Sequence, residues 1–340
     1  MTKRMGRQTV VLASPPSVLS YASIGGKFES RGPLAPYFDE LSSDAFFGEK
    51  TWEQGESAMQ KRVLYSALTK AKLKAGQLDY ILAGDLLNQC IGSSFSLRDS
   101  RIPFWGLYGA CSTMGEGLAL AAMLIDGGFA SLTAAMTSSH FCTAERQYRM
   151  PVPYGSQRTP TAQWTATAAG CTILARDGPG PYITHVTCGQ IADKGITDAA
   201  NMGAAMAPAA YGTLSAFFRE TGTSPCDYGR IVTGDLGEVG RSILLDLFRR
   251  DGIDLSGRCE DCGLLLYDRR QQDMHAGGSG CGCSAAVLNG YLLSQLRAGV
   301  WRRIVFAPTG ALLSPTSSFQ GESIPGICHA ICFSGEKNCF

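Results

Sequence analysis

Apolar and polar residues follow two recurring patterns along the chain, one typical of helices and one of strands. Segment 52–74 has apolar residues three or four positions apart, which predicts a helix with one buried face: Met59, Val63, Leu64, Ala67 and Leu68. The segments after Cys111 and Cys283 are apolar almost all round, as in helices buried between layers. Nearly continuous apolar runs between the helices predict strands covered on both faces. Together these patterns predict an α/β fold with parallel sheets and right-handed helical crossovers.

The chain also repeats itself. Residues 77–89 and 225–240 both contain Asp-Tyr, an apolar run and Gly-Asp-Leu, and each segment follows a predicted helix. The stretch 111–137 has a twin in 283–309, and the two stretches have the same length. Because both matches occur in the same order, we interpret the chain as a duplicated fold.

The duplication sets the expected domain organisation. We predict an N-terminal half, residues 1–180, and a C-terminal half, residues 181–340, with insertions at about 138–164 and about 251–280. Helices that are apolar on every side belong between layers. Two α/β halves packed around two such helices therefore predict a five-layered αβαβα sandwich.

Composition and charge narrow the class of protein. The 340 residues are 45% hydrophobic and 17% charged, and the net charge is +1, so the chain has no bulk charge to attract nucleic acid or an anionic membrane. There is no run of five basic residues, and we expect no nucleic-acid partner.

Apolar segments and cysteines indicate the compartment. The stretch Val10–Ala13 is too short for a secretory signal, and no stretch approaches the roughly 18 apolar residues of a membrane span. The 13 cysteines lie mostly within apolar segments. We therefore expect a cytoplasmic or peripheral protein with free, buried thiols.

Cys111 is the leading candidate for chemistry. It follows an apolar run, Phe104–Tyr108, and a Gly-Ala turn, and it precedes a predicted helix. At a helix N-terminus the peptide dipoles favour negative charge, which predicts a lowered pKa for the thiol. The position suits a nucleophile or an anion-binding pocket, whereas a turn that merely requires small residues is the simpler interpretation.

Further polar residues are expected near this turn. His140 follows the strand after the Cys111 helix, so it can reach the same edge of a parallel sheet, although a surface histidine fits equally well. Asp85 and Asp235 end equivalent strands, where a carboxylate either caps the next helix or lines the pocket. Arg146 and Arg149 lie three residues apart and suit a carboxylate ligand, or else form a solvated helix face.

Two other motifs carry weaker signals. Cys259 and Cys262 have the spacing of zinc ligands, but Cys281 and Cys283 are separated by one residue and belong to the twin of the Cys111 turn. The glycine-rich stretch 278–282 lacks the third spaced glycine of a dinucleotide loop. We therefore predict neither a metal nor a cofactor.

Several blocks resemble the thiolase and ketoacyl-synthase superfamily, and more closely its stage V sporulation protein AD family. The resemblance covers about residues 32–333 and rests mainly on these blocks: LAGDLLNQ (82–89), GACSTMGEG (109–117), TSSHFCTAERQYR (137–149), KGITDAANMGAAMAPAA (194–210), TGDLGEVG (233–240) and TGALLSPTS (309–317). It implies a thiolase-like fold and a homodimer. It also implies a subunit of the SpoVA apparatus, peripheral at the inner forespore membrane beside other SpoVA membrane proteins.

The resemblance further implies that the pocket binds dipicolinic acid, or its calcium chelate, for uptake into the forespore during sporulation. Dipicolinate is planar and carries two carboxylates, so it needs apolar walls and hydrogen-bond donors. The residues that the resemblance and the chemistry favour for this ligand are Cys111, Ser112, His140, Arg146 and Arg149, with Asp85 and Asp235 as polar neighbours.

The chain departs from the condensing enzymes of this superfamily in its second half. Where ketoacyl synthases of type III have a histidine, this sequence has Thr233-Gly-Asp235, and their asparagine turn corresponds to 280–283, which contains no asparagine. Without these groups a condensation loses its general base and oxyanion donors, so ligand binding is favoured. The alternative is an acyltransferase with Cys111 as nucleophile and His140 as base.

Overall fold

The helices and strands account for most of the chain that the computed structural model describes, residues 3–148 and 158–337. The strands are β1 Thr9–Val11, β2 Ser17–Gly25, β3 Glu40–Leu41, β4 Tyr80–Gly84, β5 Phe104–Gly106, β6 Leu132–Ser139, β7 Trp164–Thr165, β8 Ala168–Ala175, β9 Tyr182–Thr187, β10 Arg230–Thr233, β11 Cys259–Asp261, β12 Gly278–Ser279, β13 Arg303–Ala307, β14 Thr309–Ala311, β15 Gly326–Cys328 and β16 Ala330–Ser334. The helices are α1 Trp52–Lys70, α2 Ile91–Leu97, α3 Thr113–Asp126, α4 Phe141–Tyr148, α5 Met202–Thr221, α6 Gly237–Arg250, α7 Cys262–Leu266, α8 Cys281–Val287, α9 Leu293–Arg297 and α10 Pro315–Phe319.

The strand order repeats in the two parts of the main sheet. One end runs β5-β4-β6-β8-β2 and the other runs β11-β10-β13-β16-β9, and the two meet where Ser17 of β2 pairs with Tyr182 of β9. The three outer strands of each set are parallel, whereas β8 and β16 run antiparallel to their neighbours. The prediction of parallel sheets is therefore confirmed for these outer strands and wrong for β8 and β16. A parallel pair needs a crossover helix packed on the sheet, and the chain between β6 and β8 is instead taken up by an insertion.

Three apolar clusters separate the layers of the fold. The central cluster contains Leu118 of α3 and Ala285 of α8, together with strand residues from both halves. A second cluster packs α1 against the first half, and a third packs α5 against the second half. The predicted buried face of α1, from Met59 to Leu68, is at most 2% exposed. The five-layered arrangement is confirmed. Its two central helical segments are largely apolar, and the second is divided into α8, a π-helical turn at Leu288–Leu292 and α9.

The two insertions meet beside the central layer. Strands β7 and β12 pair in parallel, with Trp164 opposite Gly278 and Thr165 opposite Ser279. The ring of Phe141 in α4 stacks on Trp164 with centroids 3.8 Å apart. This pairing connects segments that are distant in sequence, and it sets the position of α4 and of Ser279.

Within residues 3–148 and 158–337, no helix combines the length and the apolar character that a membrane span requires. The same residues contain no group of three or more side chains placed to hold a metal ion.

A buried carboxylate in the first half joins α1, β6 and α4. Glu56 of α1 accepts hydrogen bonds from Ser138 at 3.0 Å and from Thr143 at 2.7 Å. Burial raises the pKa of Glu56 to about 8, and the nearby carboxyl of Asp85 contributes. Because the unfolded chain releases this proton at lower pH, Glu56 stabilises the fold at acidic pH and loses that contribution as the pH rises towards 8.

We predict that Glu56→Gln removes part of this pH dependence. From pH 5 to pH 9 the free energy of unfolding of the wild type should fall relative to that of the variant, by about 4 kcal/mol. Guanidinium unfolding at one-unit pH steps measures this difference, with the exposed Glu49→Gln as the matched control. Parallel curves for the wild type and Glu56→Gln would show that Glu56 does not carry the effect.

Candidate functional site

The Cys111 turn lies between β5 and α3, where the two halves of the fold touch. Ala110 has a left-handed backbone with φ of 50°, and the Ser112 hydroxyl donates to the Gly109 carbonyl at 2.7 Å. Gly310 of β14 packs directly on this turn. A Cβ at position 310 would lie 2.3 Å from the carbonyl oxygen of Gly109, so a side chain there would displace the turn.

Behind Cys111 lies a hydrogen-bonded array built from the second half. The Cys111 Sγ is 3.7 Å from the Ser279 Oγ, and that hydroxyl donates to Asp235 Oδ2 at 2.9 Å. Thr309 donates to Asp235 Oδ1 at 2.9 Å, and the Gly280 N–H donates to Oδ2 at 3.3 Å. The structure therefore brings the sequence-predicted Asp235 to Cys111 through Ser279, a residue that sequence reasoning missed.

The electrostatics oppose a thiolate at Cys111. Burial raises the pKa of this thiol well above its usual value, and the carboxyl group of Asp235 raises it further. The prediction that the helix N-terminus lowers this pKa is wrong. Cys111 precedes the first residue of α3 by two positions, and the loss of hydration outweighs the helix dipole. Burial also raises the pKa of Asp235.

A pocket opens over Cys111, and it encloses about 570 Å³ when the solvent-filled mouth is included. Seven of its lining residues are apolar: Leu86, Ala110, Ala144, Ala199, Met202, Ala311 and Leu313. The others carry a thiol, hydroxyls or one carboxyl: Cys111, Tyr108, Tyr148, Thr165, Ser279 and Glu145. Among the described residues that line it there is no lysine, arginine or histidine. The described lining thus forms a largely apolar slot that also carries hydroxyl groups, one thiol and one carboxyl group.

His140 is not among these lining residues, contrary to the prediction that it reaches the pocket. Its Nε2 lies 2.8 Å from the Ala45 carbonyl oxygen, and its Nδ1 accepts the Cys142 N–H at 3.1 Å. Burial lowers its pKa, which favours the neutral ring. The imidazole therefore anchors the start of α4, the helix that supplies Ala144, Glu145 and Tyr148 to the pocket.

The other predicted residues serve the framework around the pocket. Asp85 accepts the Ser93 N–H at 2.7 Å and the Leu87 N–H at 3.0 Å, so it holds the start of α2. Arg146 pairs with Glu53 and covers the Trp52 ring, with its Cζ 5.4 Å from the ring centroid.

Ser112 and Arg149 are the remaining residues predicted for the pocket. Ser112 is buried, and its hydroxyl is used within the Cys111 turn. Arg149 lies outside the described residues. Neither Ser112, Asp85 nor Arg146 is among the described residues that line the pocket.

Sequence reasoning missed the hydroxyl groups of the pocket. Ser279 lies inside the glycine-rich stretch that twins the Cys111 turn, so the repeat itself could have indicated it. Tyr108 ends the apolar run before Cys111, whereas Thr165 reaches the pocket through the β7–β12 pairing. That pairing joins the two insertions and has no local sequence signal.

We predict that Asp235→Asn makes Cys111 more reactive. Removing the negative charge lowers the pKa of the thiol, and one pKa unit corresponds to about a tenfold larger thiolate fraction. Alkylation by iodoacetamide at pH 8, followed residue by residue by peptide mass spectrometry, measures the rate. The exposed Cys226 is the internal reference, and an unchanged Cys111-to-Cys226 rate ratio would contradict the prediction.

The fold matches solved structures of ketoacyl-synthase-like enzymes. For 3-oxoacyl-[acyl-carrier-protein] synthase III from Aquifex aeolicus VF5 the TM-score is 0.57, with 12% identity, 94% of this chain and 99% of that chain covered. For cerulenin-bound OleA from Xanthomonas campestris the TM-score is 0.60, with 14% identity and coverage of 95% and 98%. At these identities the likeness shows the shared fold.

Sequence comparison is more specific. The family model for stage V sporulation protein AD (SpoVAD) matches residues 6–334. The stage V sporulation protein AD of Bacillus subtilis (strain 168) is 42% identical over 331 residues, which cover 97% of this chain and 98% of that protein. The chain therefore belongs to the stage V sporulation protein AD family, and it has the thiolase-like fold of the ketoacyl synthases.

Proposed function

We propose that this protein is a peripheral subunit of the SpoVA apparatus at the inner forespore membrane, and that its pocket binds dipicolinic acid or calcium dipicolinate for uptake. One observation carries the proposal beyond family membership. The pocket above Cys111 is open, but burial of the thiol and, in addition, the Asp235 carboxyl group behind it raise the pKa of Cys111 and oppose a nucleophile. A pocket that can accept a ligand therefore lies over a cysteine whose surroundings oppose condensation.

The same observation weighs against acyl transfer. A cysteine nucleophile needs a base or a positive group that generates the thiolate. The described lining residues include no lysine, arginine or histidine, and both ring nitrogens of His140 are engaged by backbone groups. In favour of this second candidate function, Cys111 itself lines the pocket in a fold shared with acyltransferring enzymes.

The chemistry of the walls favours a planar ligand of low net charge. Side chains such as Leu86, Met202 and Leu313 offer apolar contact to an aromatic ring. The described lining supplies no cationic side chain, and Glu145 and Asp235 add carboxyl groups in or behind it. Moving the free dipicolinate dianion into the pocket removes its hydration, and no cationic side chain of the described lining compensates for that loss. Calcium dipicolinate is neutral, so we propose it as the preferred form.

Calorimetric titration tests this function. We expect saturable binding of sodium dipicolinate that is tighter with equimolar calcium chloride. Leu313→Trp, which fills the pocket, should abolish the binding. Arg146→Ala, which lies outside the described lining, should leave the affinity within about twofold because it removes no contact with the ligand.

Acetyl-CoA is the comparator in the same experiment. Absence of dipicolinate binding by the wild type would contradict the proposal. A stable acetyl adduct on Cys111, seen by mass spectrometry, would favour the acyltransferase instead.

We also propose that the protein is a homodimer formed at β5. This strand is the last in its half of the sheet, and its Phe104 and Trp105 side chains are 37% and 47% exposed. An unpaired strand edge with exposed aromatic residues favours pairing with a second copy of the same edge.

We predict that Trp105→Glu yields a monomer, because it places a charge in an apolar interface. Light scattering coupled to size-exclusion chromatography measures the mass of the wild type and the variant. Phe319→Glu is the control, since Phe319 is 80% exposed and lies elsewhere. A wild type that elutes as a monomer at micromolar concentration would contradict the dimer.

A further inference from the structure

The described lining of the pocket offers neutral donors to anionic oxygen atoms, and two of its four hydroxyl groups already donate their protons elsewhere. The Ser279 hydroxyl donates to Asp235 at 2.9 Å. The Tyr148 hydroxyl donates to the Leu86 carbonyl oxygen at 2.6 Å. A hydroxyl carries one proton, so neither group can also donate to a ligand while these bonds last.

Tyr108 completes a short hydrogen-bonded chain at the pocket wall. Its hydroxyl lies 2.6 Å from that of Tyr148. Because the proton of Tyr148 goes to Leu86, the proton between the two tyrosines belongs to Tyr108. Donation therefore runs from Tyr108 to Tyr148 and on to the backbone carbonyl of Leu86.

The two tyrosines differ in how firmly they are held. Tyr148 lies on α4, and its acceptor carbonyl also receives the Gln147 side-chain amide at 2.8 Å. Gln147 in turn accepts the Asn88 N–H at 2.9 Å, so this end of α4 is tied to the chain after β4 by several bonds. Tyr108 is 44% exposed and sits in the loop between β5 and Cys111. Its hydroxyl donates to another hydroxyl, not to a backbone carbonyl.

We propose that Tyr108 is the ligand-binding donor of the pocket: its hydroxyl turns from Tyr148 to a carboxylate oxygen of the bound ligand, while Tyr148 stays anchored to Leu86. This inference rests on the proposed function. A carboxylate is a stronger acceptor than a phenol oxygen, and hydrogen bonds to ionised groups are about twice as strong as neutral ones. The exchange also leaves no backbone group unpaired. In calcium dipicolinate the carboxylate oxygens that point away from the metal remain available as acceptors.

Two phenylalanine variants test the assignment, because each removes the bond between the tyrosines but only one removes the proposed donor. We expect Tyr108→Phe to weaken calcium dipicolinate binding about tenfold or more. Tyr148→Phe should bind as well as the wild type or more tightly, since it frees the Tyr108 proton. Titration calorimetry gives the affinities, and thermal unfolding of each variant checks that the fold is intact.

The outcomes separate this inference from the proposed function. Wild-type binding that Tyr108→Phe leaves unchanged, or that both variants weaken equally, overturns the role of Tyr108 and leaves the proposed function standing. A wild type that binds no dipicolinate, with or without calcium, overturns both. Loss confined to Tyr148→Phe would assign the donor to the other tyrosine and would also overturn the inference.

Discussion

The site depends on one buried carboxyl group, that of Asp235. A buried carboxyl must find hydrogen-bond donors, and here three donors come from two segments of the second half: Ser279 with the adjacent Gly280 N–H, and Thr309. The hydrogen bonds to the Asp235 carboxyl group therefore hold these segments together behind Cys111. Gly310 packs directly against the Cys111 turn and completes the contact between the two halves.

The two halves use equivalent aspartates differently. Asp85 follows β4 and binds backbone N–H groups at the start of α2. Asp235 follows the equivalent strand β10, but the backbone at the start of α6 is held by Asp261, which accepts the Leu236 N–H at 2.8 Å and the Gly237 N–H at 3.1 Å. Because Asp261 takes over that role, Asp235 is available to the pocket.

This arrangement sets the ionisation state of Cys111 in a fold shared with ketoacyl synthases. A desolvated thiol beside a carboxyl group is held in its neutral form. The surrounding slot keeps its apolar walls and its hydroxyl groups, which are the parts that recognition of a planar acid requires. Burial of Cys111 and the neighbouring carboxyl group of Asp235 therefore oppose a thiolate without closing the pocket above it.

The sequence by itself determined the duplicated five-layered fold, the buried face of α1 and the place of Cys111 at the central layer. Periodicity shows which face of a helix or strand is buried, and the repeated motifs indicate the duplication, so neither feature requires knowledge of which distant side chains touch. Only the tertiary structure decided that His140 turns to the Ala45 carbonyl and that Ser279 stands between Cys111 and Asp235. Both outcomes depend on contacts between segments about a hundred residues or more apart, such as the pairing of β7 with β12. The direction of a side chain and the pKa of a thiol follow from such contacts, which no local pattern encodes.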